Sequence, residues 1–388
     1  MNPERTSERT KVGLVSLGVA LAAAGIGAAA GIAGERLAVG RPLLPRRGES
    51  VPEVDYTSLH VPGRWVEADD GVALYVEVDE LPTGRGRNKN GSDGGAVPVT
   101  LVFSHGFALT MDAWFFQRQA LRGRYRMVFW EQRGHGRSGA GSAQSCTLDQ
   151  AGADLYRVIQ AMAPKGPIVL VGHSMGGMTT LAMAARRPSL FAQRVLGVAL
   201  VSTSAGGLGT LELGMAGLGR LVQRVAPGTL KALSRSRRFV ENGRRVVSDI
   251  ETVFVRRYSY VSAVSPDLVA FTAQMIAETP VEVISDFLPT FQSHDKRTAL
   301  SVLDGMEVLV LVGDSDLMTP PAHSRDIVRQ VPTAELVVVP HSGHMVMLEY
   351  PDVVTAHLES LITRAARGHA AAPRGIIRRR LRRPDGAA

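Results

Sequence analysis

The stretch IVLVGHSMGG, residues 168–177, decides the fold. Ile168 to Gly172 form a short unbroken apolar run ended by glycine, the pattern of a strand buried on both faces. From Met175 the chain reads MGGMTTLAMAARRP, a helical stretch that stops at Pro188. Ser174 stands between the two, inside Gly172-His173-Ser174-Met175-Gly176, a G-x-S-x-G pattern. The pattern is common by chance, but between a buried strand and a helix it predicts a serine on a tight, strained turn. The glycines have a steric reason, because side chains two residues either side of such a serine would collide.

Five further strand-like runs surround this one: VTLVF (99–103), YRMVFW (125–130), VLGVALVS (195–202), VLVLVG (308–313) and LVVVP (336–340). Helical stretches separate them, so the expected fold is α/β, a doubly wound and mostly parallel sheet covered on both faces. Upstream, GRWVEADDGVALYVEV (63–78) reads as a hairpin around Asp69-Asp70-Gly71. Residues 82–98, rich in glycine and polar side chains, read as a flexible excursion. Residues 206–304 have helical periodicity and no comparable strand, and predict an inserted helical cap domain. The core is therefore expected in two parts, 63–205 and 305–366, closed by a helix near 352–366.

The ends have a different character. Residues 1–11 are a basic N-terminus. Residues 12–33, VGLVSLGVALAAAGIGAAAGIA, carry no charge. As a helix they would span roughly 33 Å, enough for the core of a bilayer. This N-terminal hydrophobic helix is expected to be a single membrane anchor, with a cleaved export signal and secretion as the alternative. Residues 34–62 read as a linker, and 367–388 as a basic, disordered tail.

Mapping the charge removes a false lead. The formal net charge is +8, but residues 1–50 carry about +3 and residues 364–388 about +7, leaving the body near −2. Nucleic acid is not an expected partner. The single cysteine, Cys146, excludes an intramolecular disulfide and a multi-cysteine zinc site. His60, His294, His323, His357 and His369 are scattered without metal-ligand spacing, so neither metal nor cofactor is expected.

A serine hydroxyl is a weak nucleophile at neutral pH and needs a base, itself oriented by an acid. In open α/β sheets such groups occupy loops at the carboxyl ends of strands. No carboxylate follows VLGVALVS. Asp314 and Asp316 follow VLVLVG, and His341 and His344 follow LVVVP, so each role has two candidates.

From about Gly63 to Ala365 the chain resembles the α/β-hydrolase superfamily, near its esterase, lipase and haloperoxidase-like group. The resemblance rests on Ser104-His105-Gly106-Phe107, EQRGHGRS (131–138), GHSMGG (172–177), GDSDLMTPP (313–321) and SGHMVMLEYP (342–351). It implies Asp316 as the acid and His344 as the base, in the order Ser…Asp…His that this fold uses. It also implies that the backbone amides of Phe107 and Met175 form an oxyanion hole, with His105 bracing the loop and Arg133 structural. Glu131 departs from the aspartate usual there, a change expected to touch a turn only.

The implied activity is hydrolysis of carboxylic esters, acylglycerols or other lipids among them, by a small-molecule-binding enzyme at a membrane. Perhydrolysis, carbon–carbon cleavage and amide hydrolysis use the same triad, and a binding protein on an inactive scaffold is the alternative of another class. Ser174 in place of aspartate argues against the epoxide hydrolase and haloalkane dehalogenase chemistries.

Overall fold

The computed structural model describes residues 54–82, 98–208 and 255–371. Eight strands form one sheet: β1 (Arg64–Glu67), β2 (Ala73–Asp79), β3 (Thr100–Ser104), β4 (Arg126–Trp130), β5 (Ile168–His173), β6 (Val195–Val201), β7 (Glu307–Gly313) and β8 (Glu335–Val339). Their order is β1-β2-β4-β3-β5-β6-β7-β8. The β1–β2 and β2–β4 pairs are antiparallel and all others are parallel. All eight expected strands are present, their ends within about two residues of the sequence reading.

Besides a helical stretch at 255–259, the α-helices of the described residues are α1 (Phe115–Leu121), α2 (Leu148–Met162), α3 (Met175–Arg186), α4 (Pro188–Arg194), α5 (Pro266–Glu278), α6 (Val281–Gln292), α7 (Pro321–Gln330), α8 (Val346–Glu349) and α9 (Pro351–Ala371). Alternate strand residues point to opposite faces. Val169, Val171, Ala199, Val201, Leu309 and Leu311 meet Leu358, Leu361 and Ile362 of α9 on one face. Leu170, Val198, Leu200 and Val310 meet Leu155, Val158 and Ile159 of α2 on the other. This two-sided burial is why the strands read as continuous apolar runs. Local signals agree: Thr147 caps α2 by accepting from the Gln150 amide at 3.1 Å, a cap worth about 1 kcal/mol.

The chain leaves β3 to form β4 on one side and returns to form β5 on the other, so the direction of winding reverses between β3 and β5. In open α/β sheets the crevice beyond the strand ends at such a point is where ligands bind. Ser174 follows β5 there, and His105-Gly106-Phe107 follows β3.

Of the segment 206–304, residues 209–254 lie outside the described residues. The rest holds the helical residues 255–259, α5, α6 and the 3-10 turn Arg297–Leu303, in keeping with its helical periodicity. Its base is pinned to the core, where the Lys296 amide donates to the Ala205 carbonyl at 2.6 Å and Gly206 bridges Asp295. The final helix continues to Ala371, past the stop expected at 366, so the first residues assigned to the tail are helical. The apolar segment 12–33, most of the excursion and the tail beyond Ala371 lie outside the described residues. Among the described residues, no helix is long and apolar enough to cross a membrane.

Candidate active site

Ser174 sits at φ 50° and ψ −116°, a conformation that L side chains rarely adopt and that costs about 1–3 kcal/mol. Its glycine neighbours allow the turn. A Cβ on Gly172 would lie 2.5 Å from the Gly176 carbonyl oxygen, and one on Gly176 would lie 2.2 Å from that of Ser104. The turn is held by the Ser174 amide donating to Val201 at 2.9 Å and by the Thr203 hydroxyl donating to the Ser174 carbonyl at 2.6 Å. His173 and Met175 are fully buried, whereas Ser174 is partly open to solvent. Its hydroxyl makes no hydrogen bond among the described residues.

The two candidate acids are separated by geometry. Asp316 is 2 % exposed and both its carboxylate oxygens lie within 3.0 Å of His344 Nδ1. The same carboxylate accepts from the Met318 and Thr319 amides at 2.8 and 2.9 Å and from the Thr319 hydroxyl at 2.9 Å. Burial alone would raise the Asp316 pKa, but the charge and hydrogen bond of His344 and the Thr319 donors outweigh it and hold the carboxyl below its usual value. Asp314 is exposed and accepts from the Ser315 hydroxyl at 2.7 Å, with the Ser342 amide at 3.4 Å. His341 is also exposed, at φ 53°. Asp316 and His344 are thus the pair the fold brings together. The carboxylate fixes the Nδ1–H tautomer of His344, leaving Nε2 as the basic nitrogen.

Phe107 and Met175 occupy corresponding positions. Ser104 of β3 is paired with Gly172 of β5, and each of the two residues lies three beyond its paired position. Neither amide donates to a hydrogen bond among the described residues, although Met175 is fully buried. Met175 opens α3, where the first amides have no partner within the helix, and Phe107 is only partly buried.

The loop carrying Phe107 is braced from below. His105 is fully buried, with Nδ1 2.8 Å from the Gly106 carbonyl and Nε2 accepting the Gln132 amide at 3.0 Å. The Gln132 side chain donates to the His105 carbonyl at 2.6 Å and accepts from Thr179 of α3 at 2.7 Å. Glu131 reaches further than its expected turn role. Its carboxylate accepts the Met111 amide at 3.2 Å and packs 3.2 Å from His105 Nε2, so the departure from aspartate reaches the loop after β3. Arg133 is fully buried in a two-pronged pair with Asp154 at 2.6 and 2.7 Å, a structural place.

One face of α6 closes on this region. Val283 lies over Gly134, where a Cβ would come within 2.6 Å of it, and Thr290 accepts the Leu148 amide at 3.1 Å. Phe291 meets the Phe107 ring edge-on at 5.0 Å, and Phe287 lies 6.1 Å from it. Cys146 is buried in this apolar cluster. Among the described residues no cluster of histidine, cysteine or acidic side chains could hold a metal ion.

Three contributors lie within the quoted segments without a role read from them there: Thr319 on Asp316, Glu349, which accepts the Gly343 amide at 2.6 Å beneath His344, and His173, whose Nε2 lies 3.0 Å from the His344 carbonyl. Glu349 accepts mostly from main-chain amides, which leave no pairing signal in sequence, and Thr319 serves a carboxylate only three residues before it.

Comparison with known proteins agrees with this architecture. The family described as alpha/beta hydrolase fold matches residues 99–351. A dihydrolipoyllysine-residue acetyltransferase component of an acetoin cleaving system from Pseudomonas putida is 27% identical over 68% of this chain, which spans only 64% of that protein's length. A pimeloyl-[acyl-carrier protein] methyl ester esterase from Nitrosospira multiformis is 26% identical over 66% of this chain and 92% of its own. Among solved structures, a thermophilic esterase from Thermogutta terrifontis superposes with a TM-score of 0.56 at 24% identity, over 79% of this chain and 99% of the other. With the match spanning well over half its length, the chain belongs to the alpha/beta hydrolase fold family.

Proposed function

We propose that the chain hydrolyses carboxylic esters through Ser174, His344 and Asp316. The observation that carries this reading is the buried Asp316–His344 pair at 2.9 Å, on the same sheet edge as a strained serine turn. Ser174 Oγ attacks the ester carbonyl while His344 Nε2 takes its proton. Asp316 holds the imidazolium that results, and the Phe107 and Met175 amides receive the developing oxyanion. His344 returns the proton to the leaving alcohol, giving an acyl-enzyme, and then activates a water that releases the acid. The Ser174–His344 hydrogen bond forms with substrate, as catalytic contacts often tighten only in the complex.

The partly buried Phe107 and Phe291 rings, backed by the fully buried Phe287, support an apolar acyl or alkyl group, lipid esters included. Residues 206–304 are proposed to cap the site, and residues 12–33 to anchor the enzyme to a membrane near such substrates, with export after cleavage as the alternative.

The test is hydrolysis of p-nitrophenyl esters from acetate to palmitate by the full chain and its Ser174→Ala variant. Activity that falls at least about 10⁴-fold in the variant supports the reading. A folded protein that is labelled at Ser174 by a fluorophosphonate, yet cleaves no ester, would move it to amide, carbon–carbon or perhydrolytic chemistry. Absence of labelling would leave a binding role.

A further inference from the structure

His173 touches three parts of the site at once. It belongs to the turn that carries Ser174. Its Nε2 lies 3.0 Å from the main-chain oxygen of His344, and the two imidazole rings are 4.8 Å apart at 54°. Its Nδ1 abuts the oxyanion loop at Gly106, where an added Cβ would come within 2.7 Å. The ring is fully buried.

The chemistry of these contacts fixes the state of the ring. A carbonyl oxygen only accepts, so Nε2 carries the hydrogen. Nδ1 is then a bare lone pair, and it has no partner among the described residues. Burial, with His344 close by, pushes the His173 pKa down to about 3, so the ring is neutral wherever His344 can act as a base. A neutral ring can lie against an imidazole that becomes charged in the reaction. A lysine or arginine there would set a second cation beside it.

We propose that His173 is a positioning residue for the reaction: its Nε2–H fixes the His344 main chain, and so the placement of His344 Nε2 relative to Ser174, while its ring sets the depth of the oxyanion loop. The inference rests on the proposed roles of Ser174 and His344. It asks more of His173 than core packing, because an apolar side chain of similar size would fill the space and leave the His344 carbonyl without its donor.

The test compares His173→Gln, which keeps an N–H near the Nε2 position, with His173→Met, which fills the space without a donor, both in the full chain. His173→Phe, a flat ring without a donor, replaces the Met variant if that fails to fold. Displacement of a catalytic group by about 1 Å can cost about 10²-fold, so the donor-free variant should lose roughly 30- to 100-fold in kcat with KM within about twofold. The Gln variant should recover to within about fivefold of the parent. Labelling of Ser174 by a fluorophosphonate should slow in parallel, since it uses the same base. Equal losses in the Gln and donor-free variants, or a donor-free variant within twofold of the parent, would overturn the proposal. If the parent cleaves no ester but is labelled, the ester reading fails while the labelling rates still decide the role of His173.

Discussion

The Thr319 hydroxyl donates to Asp316 Oδ2 at 2.9 Å and lies 3.4 Å from His344 Nδ1, so one side chain borders both members of the Asp316–His344 pair. Together with the Thr319 and Met318 amides it leaves the buried carboxylate surrounded by donors. Hydrogen bonds to a charged group are worth about 1.5–3 kcal/mol, more than neutral ones. Thr319→Val keeps the shape and removes the donor. The expected result is a fall in kcat of roughly tenfold with little change in KM, read from steady-state kinetics on p-nitrophenyl butyrate. An unchanged kcat would mean that the amides alone hold Asp316.

The same residues mark what a sequence can and cannot display. The strands were legible because parallel strands buried on both faces admit only apolar side chains, and the turn at Ser174 because only glycine tolerates the approach of Gly176 to Ser104. Asp314 and Asp316 could not be separated from their residue types, since both follow β7. They differ in direction: Asp316 turns inward to His344, whereas Asp314 faces solvent beside Ser342. His173 and Glu349 act on the main chain of the His344 loop, and a carbonyl or amide is the same at every position. The last helix outran its expected end because it was bounded by its run of apolar residues, whereas its backbone continues through Gly368.

A pH dependence of stability follows from His60, which ties the segment before β1 to the sheet. Its Nε2 lies 3.4 Å from Asp112 and its Nδ1 2.8 Å from Glu77. Hydrogen bonds to Asp112 and then Glu77 raise its pKa from the ordinary 6.5 to about 9. A raised histidine pKa stabilises fully below the unfolded value and ceases to do so as pH rises through the folded one. Denaturant midpoints should therefore fall between about pH 6.5 and pH 9 in the parent. In His60→Gln that slope should flatten, and a slope of the same size would assign it to another group.

Phe291 offers a test of selectivity. It is only partly buried, meets the Phe107 ring at 5.0 Å, and comes from α6 rather than the sheet. Truncation opens space beside Phe107, whose amide is proposed to receive the oxyanion, and a methylene in an apolar pocket is worth about 1–3 kcal/mol in discrimination. Phe291→Ala should raise the ratio of kcat/KM for octanoate over acetate by about tenfold. A ratio that stays constant while both values fall would make Phe291 a brace for the loop and not a wall of the pocket.

Glu131 poses the last question, because two effects of opposite reach compete in it. The carboxylate accepts the Met111 amide at 3.2 Å and lies 3.2 Å from His105 Nε2, and Gly136, at φ 50°, leaves it room where a Cβ would come within 2.5 Å of its Cδ. Glu131→Asp draws the carboxylate back by one methylene, opening a small void and stretching the Met111 bond. The void and the weakened bond should together cost about 2 kcal/mol of stability. The effect on rate should be small, within about threefold in kcat, because His105 keeps the Gln132 amide on Nε2 and the Gly106 carbonyl on Nδ1. Urea unfolding and kcat measured on the same preparation separate the two. A large loss of kcat at unchanged stability would instead make Glu131, through His105, part of what positions the Phe107 amide.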